Sequence, residues 1–148
     1  MYKHILVPTD GSPLSGKAVK QALAFAKSVG AKVTALHVSH EYRAMMDEGF
    51  ALPTIATFKK RFEAEGAKRS SMLLDSVKSS AKAANVECDG VAVTGNLPYE
   101  AIIRQAKKAK CDLIMMASHG RKGLSSILLG SETAKVLTHS KIPVLVVR

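Results

Sequence analysis

Short apolar runs alternate with longer segments of helical periodicity along the whole chain, and this alternation restricts the fold more than any other feature. The runs interpreted as strands cover residues 5–7, 33–38, 86–93, 112–116 and 142–147. They are almost continuously apolar, which is typical of strands buried on both faces of a parallel sheet. The pattern therefore predicts an α/β fold in which helices cover both faces of a parallel sheet.

The segments between these runs carry apolar residues at helical spacing. Ser12 and Pro13 are expected to begin the first helix, because serine caps helix N-termini and proline fits the first turn. Gly30 is expected to end that helix. Further helices are predicted over residues 58–84, 98–109 and 132–140. Residues 41–57 show no clear period and are expected to form a connecting loop that is helical at most in part.

The 148 residues carry a formal net charge of +10, and residues 101–148 contribute +7 of it. A positive field in that segment suits an anionic ligand and also nucleic acid. Nucleic acid is the less favoured partner, because the few aromatic residues are scattered along the chain.

The two cysteines, Cys88 and Cys111, form neither a disulfide framework nor a metal spacing. The lack of a disulfide framework makes a reducing cytoplasm the expected location. No apolar run approaches the roughly 18 residues of a membrane span, so no membrane contact is expected.

The most informative loop covers residues 117–131, between the fourth strand and the last helix. It contains small residues, among them Gly120 and Gly130, and the adjacent cations Arg121 and Lys122. Small residues let a ligand approach the backbone, and N–H groups at a helix N-terminus bind phosphate. Taken alone, the loop is equally compatible with an ordinary glycine-rich surface loop.

Three loops are expected to meet at one edge of the sheet, namely residues 8–12, 38–40 and 117–131. In open parallel sheets, ligands bind beyond the carboxyl ends of the strands, where the strand order reverses. The expected convergence of these loops favours a nucleotide site over a coincidence of composition.

With these loops located, the chain resembles the universal stress protein family over residues 2–148. The resemblance rests on the opening Ile-Leu-Val-Pro-Thr-Asp-Gly-Ser, the Leu-His-Val of the second strand and the closing Gly-Ser…Val-Leu-Thr-His-Ser-Lys-Ile-Pro-Val-Leu-Val-Val. ATP-binding members of that family carry Gly-x2-Gly-x9-Gly-Ser/Thr. Gly120, Gly130 and Ser131 match this motif, whereas Ala117 replaces its first glycine and adds one methyl group beside the expected ribose and α-phosphate.

The resemblance implies a site for ATP, or for AMP or ADP, with Mg²⁺ as an optional companion of the phosphates. The adenine would lie near the end of the first strand and Val38, the ribose along the end of the fourth strand, and the distal phosphates at the start of the last helix. The residues implied to contact the ligand are Pro8, Thr9, Asp10, Val38, Met116, Ala117, His119, Gly120, Arg121, Gly130, Ser131, Glu132 and Thr133.

Glu132 is a second departure, because many family members have an apolar residue at this position. An acid in the first turn of a helix is favoured by the helix dipole, but a carboxylate pointing inward would repel a triphosphate. Arg121 and Lys122 could offset that repulsion, or Glu132 could help to hold Mg²⁺. Purely structural interpretations also stand for Asp10 as a turn carboxylate, for Val38 as core and for Ser131 as a helix cap.

Residues 11–18 come close to the Walker pattern Gly-x4-Gly-Lys-Ser/Thr. Ala18 lacks the hydroxyl that binds Mg²⁺, and Pro13 lacks an N–H group, so a phosphate-binding loop of that type is not expected. The histidines match no metal-ligand spacing. No catalytic nucleophile with its base can be recognised, and any ATP hydrolysis is expected to be slow.

We expect one domain over residues 1–148, a Rossmann-like sheet with strand order 3-2-1-4-5. The leading hypothesis is a nucleotide-responsive protein of the stress response. The resemblance also implies a homodimer that pairs residues 142–147 across a two-fold axis. The alternative is a dimeric interaction protein of the same fold without nucleotide, which Ala117 and Glu132 would favour.

Overall fold

A computed structural model of the chain describes residues 1–42, 52–120 and 129–148. Strands and helices alternate through these ranges, as the sequence predicts. In chain order they are β1 (His4–Pro8), α1 (Pro13–Val29), β2 (Lys32–Ser39), α2 (Leu52–Ala83), β3 (Cys88–Thr94), α3 (Pro98–Lys108), β4 (Leu113–Ala117), α4 (Ser131–His139) and β5 (Val144–Val147).

The five strands of the described ranges form one parallel sheet in the order β3-β2-β1-β4-β5, which confirms the predicted fold and strand order. The central strand β1 pairs with β2, where Leu6 lies beside Thr34, and with β4, where Leu6 lies beside Ile114. The strand order reverses between β1 and β4, so the carboxyl ends of these two strands border the crevice where open sheets bind ligands.

Helices cover both faces of the sheet. Helices α1 and α2 pack on the face that contains Ile5 and Val7, and helices α3 and α4 pack on the face that contains Leu6. Ile5 and Leu6 are each 0% exposed. Adjacent residues of a strand point to opposite faces, so both faces of β1 are apolar and the strand is held firmly in the middle of the sheet.

Both predicted ends of α1 are confirmed. Ser12 is the N-cap, its hydroxyl oxygen accepts a hydrogen bond from Ser15 N at 3.2 Å, and Pro13 is the first helical residue. Gly30 follows the helix in the left-handed conformation, with φ of 69°. Only glycine adopts that conformation without a steric cost, so α1 ends at this residue.

The other boundaries differ from prediction by a few residues. Helix α2 begins at Leu52, so residues 52–57 are helical, and residues 43–51 of the expected loop lie outside the described ranges. Phe58 and Phe62, which indicated one face of this helix by their spacing, are 53% and 43% exposed, so the predicted apolar face is not buried in the first half of α2. Strand β5 begins at Val144 and not at residue 142, because Pro143 has no N–H group for the sheet. No helix in the described part of the chain combines the length and the apolar character needed to cross a bilayer.

Candidate functional site

The end of β1 meets the residues that follow β4. A Cβ atom added to Gly120 would lie only 2.6 Å from Oδ2 of Asp10. Any larger residue at position 120 would therefore displace the Asp10 carboxylate. The structure thus brings together two residues that the sequence predicts to share a site, although they are 110 positions apart.

The turn between β1 and α1 is fixed by its own hydrogen bonds. Thr9 N donates to the carbonyl oxygen of Leu36 at 2.8 Å, which extends the pairing of β1 with β2. Ser12 N donates to Oδ1 of Asp10 at 2.9 Å. The structural interpretation of Asp10 as a turn carboxylate is therefore correct for one oxygen, while the other oxygen lies beside Gly120.

A second close approach joins the start of α4 to the end of β4. A Cβ atom on Gly130 would lie 2.9 Å from both Cα and Cβ of His119. Gly130 N donates to Ser118 O at 2.8 Å, and Ser118 N donates to Val147 O at 2.8 Å. The φ angle of Gly130 is −60°, which any residue can adopt, so this glycine is required for its lack of a side chain.

The N-terminus of α4 lies at this contact. The N-cap residue is Gly130, and no side-chain hydrogen bond from the described residues caps this end of the helix. The first backbone bond of the helix runs from Ala134 N to Gly130 O. The N–H groups of residues 131–133 therefore point beyond the helix end, and such groups attract anions together with the helix dipole.

The side chain of Glu132 does not point along the helix axis towards these donors. Its Oε2 accepts a hydrogen bond from Tyr99 N, in the first turn of α3, at 2.9 Å. Its Oε1 accepts one from Lys135 Nζ at 3.0 Å. The carboxylate is thus directed to α3 and paired with a cation, an arrangement that supports neither the repulsion of a phosphate nor a share in Mg²⁺ binding.

The methyl group of Ala117 is buried in the core beneath α1 and α2, and the residue is 7% exposed. It takes up space inside the protein rather than in the crevice. Thr133 is 2% exposed, and its hydroxyl donates to Ala117 O at 2.9 Å. This bond ties the first turn of α4 to the last residue of β4.

The remaining predicted residues surround the same edge. Val38 is half-buried and packs with the buried Met116 on the face of α3 and α4, so its structural interpretation as core applies in part. Pro8 ends β1 and is half-buried, and Ser131 is exposed. His119 is half-buried, and its Nδ1 lies 3.1 Å from Ser118 Oγ. Arg121 lies outside the described residues.

Sequence reasoning missed two contributors to this edge. Ser118 joins β5 to Gly130 through its backbone, and no feature of the sequence marks a residue that acts through its N–H and C=O groups. Lys135 pairs with Glu132 three residues earlier, and this helical spacing of opposite charges was a usable signal.

Among the described residues, no group of three His, Cys, Asp or Glu side chains could hold a metal ion.

Comparison with known proteins extends these observations. A sequence model of the universal stress protein family matches residues 1–148. Universal stress protein MJ0577 of Methanocaldococcus jannaschii is 31% identical, and the alignment covers 100% of this chain and 96% of the relative. A solved structure of MJ0577 has a TM-score of 0.82 and covers 99% of this chain and 96% of its own.

A universal stress protein solved in complex with cAMP is 27% identical, with a TM-score of 0.72 and coverage of 99% of this chain and 97% of its own. These matches span nearly all of each chain, and the strand order and the spacing of Gly120 and Gly130 agree with the resemblance inferred from the sequence. The chain belongs to the universal stress protein family.

Proposed function

We propose that the chain binds an adenine nucleotide, ATP or its diphosphate or monophosphate, in the crevice between β1, the end of β4 and the start of α4. The observation that carries this proposal is the pair of close approaches at Gly120 and Gly130, beside an α4 terminus whose backbone donors have no side-chain cap in the described residues. The relative that was solved with cAMP, at 27% identity, supports the same class of ligand.

In this proposal the phosphates bind the N–H groups of residues 131–133, where the helix dipole adds a favourable interaction. The ribose and first phosphate lie along Met116, Ala117 and Gly120. Because the methyl group of Ala117 packs in the buried core, we do not expect it to narrow the crevice. The departure from the family motif at this position is therefore compatible with nucleotide binding.

The adenine lies against Pro8, Thr9 and Val38, with Asp10 as the hydrogen-bond acceptor for the exocyclic amine or the ribose. The Asp10 carboxylate is held for this role by Ser12 N. His119 and Arg121 would contribute near the phosphates. Mg²⁺ would accompany ATP through the phosphate oxygens rather than through Glu132, whose two oxygens are taken by Tyr99 N and Lys135 Nζ.

The proposed activity is binding with at most slow hydrolysis, as a nucleotide-responsive part of a stress response in the cytoplasm. We further propose a homodimer through residues 142–147. Strand β5 is an edge of the described sheet, and its Leu145 is 38% exposed. An apolar edge strand of this kind invites pairing with a second copy.

Isothermal calorimetry with ATP, ADP and AMP tests the proposal. We expect saturable binding by the native chain and a loss of at least about tenfold in affinity for Gly130→Val, because the added side chain would meet His119. The same change at Gly16, where a Cβ meets no described atom within 4 Å, is the control and should leave binding unchanged. A native chain that binds none of the three nucleotides at millimolar concentration would favour the interaction protein instead.

A further inference from the structure

Helix α2 is far longer than the strands on which it packs. Its 32 residues span about 48 Å, whereas the 8 residues of β2 span about 26 Å. Residues 54–69 are exposed apart from Ile55 and Gly66, which are half-buried, and deep burial begins at Ser70 with 2% exposure. The first half of α2 therefore extends past the carboxyl edge of the sheet, where Phe62 contacts the ring of Tyr42.

A cavity of about 430 Å³ lies between this projecting half and the carboxyl ends of β2 and β3. Its volume falls in the range of small-molecule sites. Ser39 lines it, while the adjacent Val38 packs on the opposite face of the sheet. In the described part of the chain, none of the residues proposed to contact the nucleotide lines this cavity, so the two sites are distinct.

Gly66 lines the cavity from the middle of α2. Glycine inside a helix costs about 1 kcal/mol relative to alanine. A Cβ at this position would meet no atom of the described residues within 4 Å, and the backbone is helical. The space beside Gly66 is therefore free of described atoms, and a molecule in the cavity can lie directly against the helix backbone.

The walls of the cavity combine aromatic rings with hydroxyl groups. The rings of Tyr42 and Phe62 are tilted at 59°, with centroids 5.6 Å apart, and Phe62 is 43% exposed. At the sheet side, Ser39 Oγ and Thr94 Oγ1 lie 3.1 Å apart. The small side chain of Ala92 lies on the same strand as Thr94 and also lines the cavity. A planar ring can therefore lie against Phe62 and present polar groups to the hydroxyls.

The net charge of the described residues that line the cavity is opposite in sign to that of the whole chain. Lys59 Nζ lies 3.9 Å from Glu63 Oε1, so these two charges offset one another. Glu41 accepts a hydrogen bond from the uncharged Asn96 at 2.9 Å and pairs with no cation among the described residues. Among the described residues of the lining, the carboxylates of Glu41 and Glu63 outnumber the single cation of Lys59, so this part of the lining is net negative in a chain of net charge +10.

We propose that this cavity is a second binding site, which takes a planar aromatic amine. The ring stacks on Phe62 and Tyr42, the ammonium group lies near Glu41, and the aromatic faces add cation–π attraction. The site is independent of the nucleotide crevice and selects the opposite ligand charge.

Tryptamine and indole acetate are suitable probes, because they share one ring and carry opposite charges. Titrations followed by amide NMR should show saturable tryptamine-dependent shifts at Ser39, Gly66 and Thr94. Indole acetate should bind at least about tenfold more weakly, since it brings a second negative charge to Glu41. Equal binding of the two probes would overturn the assigned charge, and an absence of saturable shifts with millimolar tryptamine would overturn the site.

Gly66→Leu fills the cavity from the helix and should weaken tryptamine binding at least about tenfold. The variant should remain folded, because leucine is a better helix former than glycine. Gly16→Leu makes the same change in α1, where a Cβ also meets no described atom within 4 Å, and should leave tryptamine binding unchanged. Unaltered tryptamine binding by Gly66→Leu would contradict the proposal. ATP titrations of the same samples report on the nucleotide crevice separately.

Discussion

Glu132 joins the two helices on one face of the sheet, and its removal provides a quantitative test of that contact. Helix α3 has no side-chain cap from its own N-cap residue, Leu97. The Glu132 carboxylate supplies an acceptor from α4 instead, through the 2.9 Å bond from Tyr99 N. An N-terminal cap is worth about 1 kcal/mol. The ion pair with Lys135, whose side chain is 44% exposed, adds at most about 1 kcal/mol.

We therefore expect Glu132→Ala to lower the free energy of unfolding by about 1–2 kcal/mol, measured by urea denaturation. Lys135→Met removes the ion pair and also the contact of Nζ with the Tyr99 ring, whose centroid lies 5.4 Å away. It keeps the acceptor for Tyr99 N and should lower the free energy of unfolding by about 1 kcal/mol. Glu132→Gln keeps an acceptor for Tyr99 N and should lie between the native chain and Glu132→Ala. Equal stability of Glu132→Ala and the native chain would refute the inferred cap.

The same variants report on the crevice. Because the Glu132 carboxylate is directed to α3, we expect Glu132→Gln to change the ATP affinity by less than about threefold. A rise of tenfold or more would mean that this charge acts on the phosphates after all, and the orientation described above would then be wrong.

Two further predictions concern the rest of the molecule. Burial and the nearby Lys32 lower the pKa of His4 below its ordinary value of 6.5, so the folded state favours the neutral ring. The neutral ring therefore contributes stability above a pH of 6.5, and this stability is lost as the pH falls through the lowered pKa. Denaturation between pH of about 7 and about 5 should show this decrease, with a smaller slope in His4→Gln; an unchanged slope would exclude His4 as its source. Leu145→Asp should convert a dimer to monomers in analytical ultracentrifugation because it places a charge on the exposed edge strand β5; a variant that stays dimeric would place the interface elsewhere.

The parallel strands and both ends of α1 could be predicted because each has a local signal. Alternating apolar runs indicate buried parallel strands, and Ser12, Pro13 and Gly30 carry capping preferences in their own covalent structure. The start of α2 could not be placed in the same way. Ile55, Phe58 and Phe62 are spaced as on one helix face, but Pro53 interrupts the pattern before them, so the sequence does not show at which residue the helix begins.

The candidate site was predictable by residue type but not by orientation. The spacing of Gly120 and Gly130 indicated a close approach, and the structure provides the partners, Asp10 and His119. Whether Ala117 narrows the crevice depends on which face of β4 its methyl group occupies, and whether Glu132 repels a phosphate depends on Tyr99. Both answers come from tertiary contacts that local sequence patterns do not encode.

The hydrogen bond from Gly130 N to Ser118 O has a consequence for how this fold can diversify. It joins the two ends of the segment between β4 and α4, so the attachment of this segment to the sheet does not depend on the residues between those ends. Lengthening such a segment is inexpensive, since each doubling adds only about 0.6 kcal/mol of closure entropy. Insertions, deletions and changes of charge can thus accumulate there while the sheet stays intact, and descendants of one scaffold can acquire different ligand preferences.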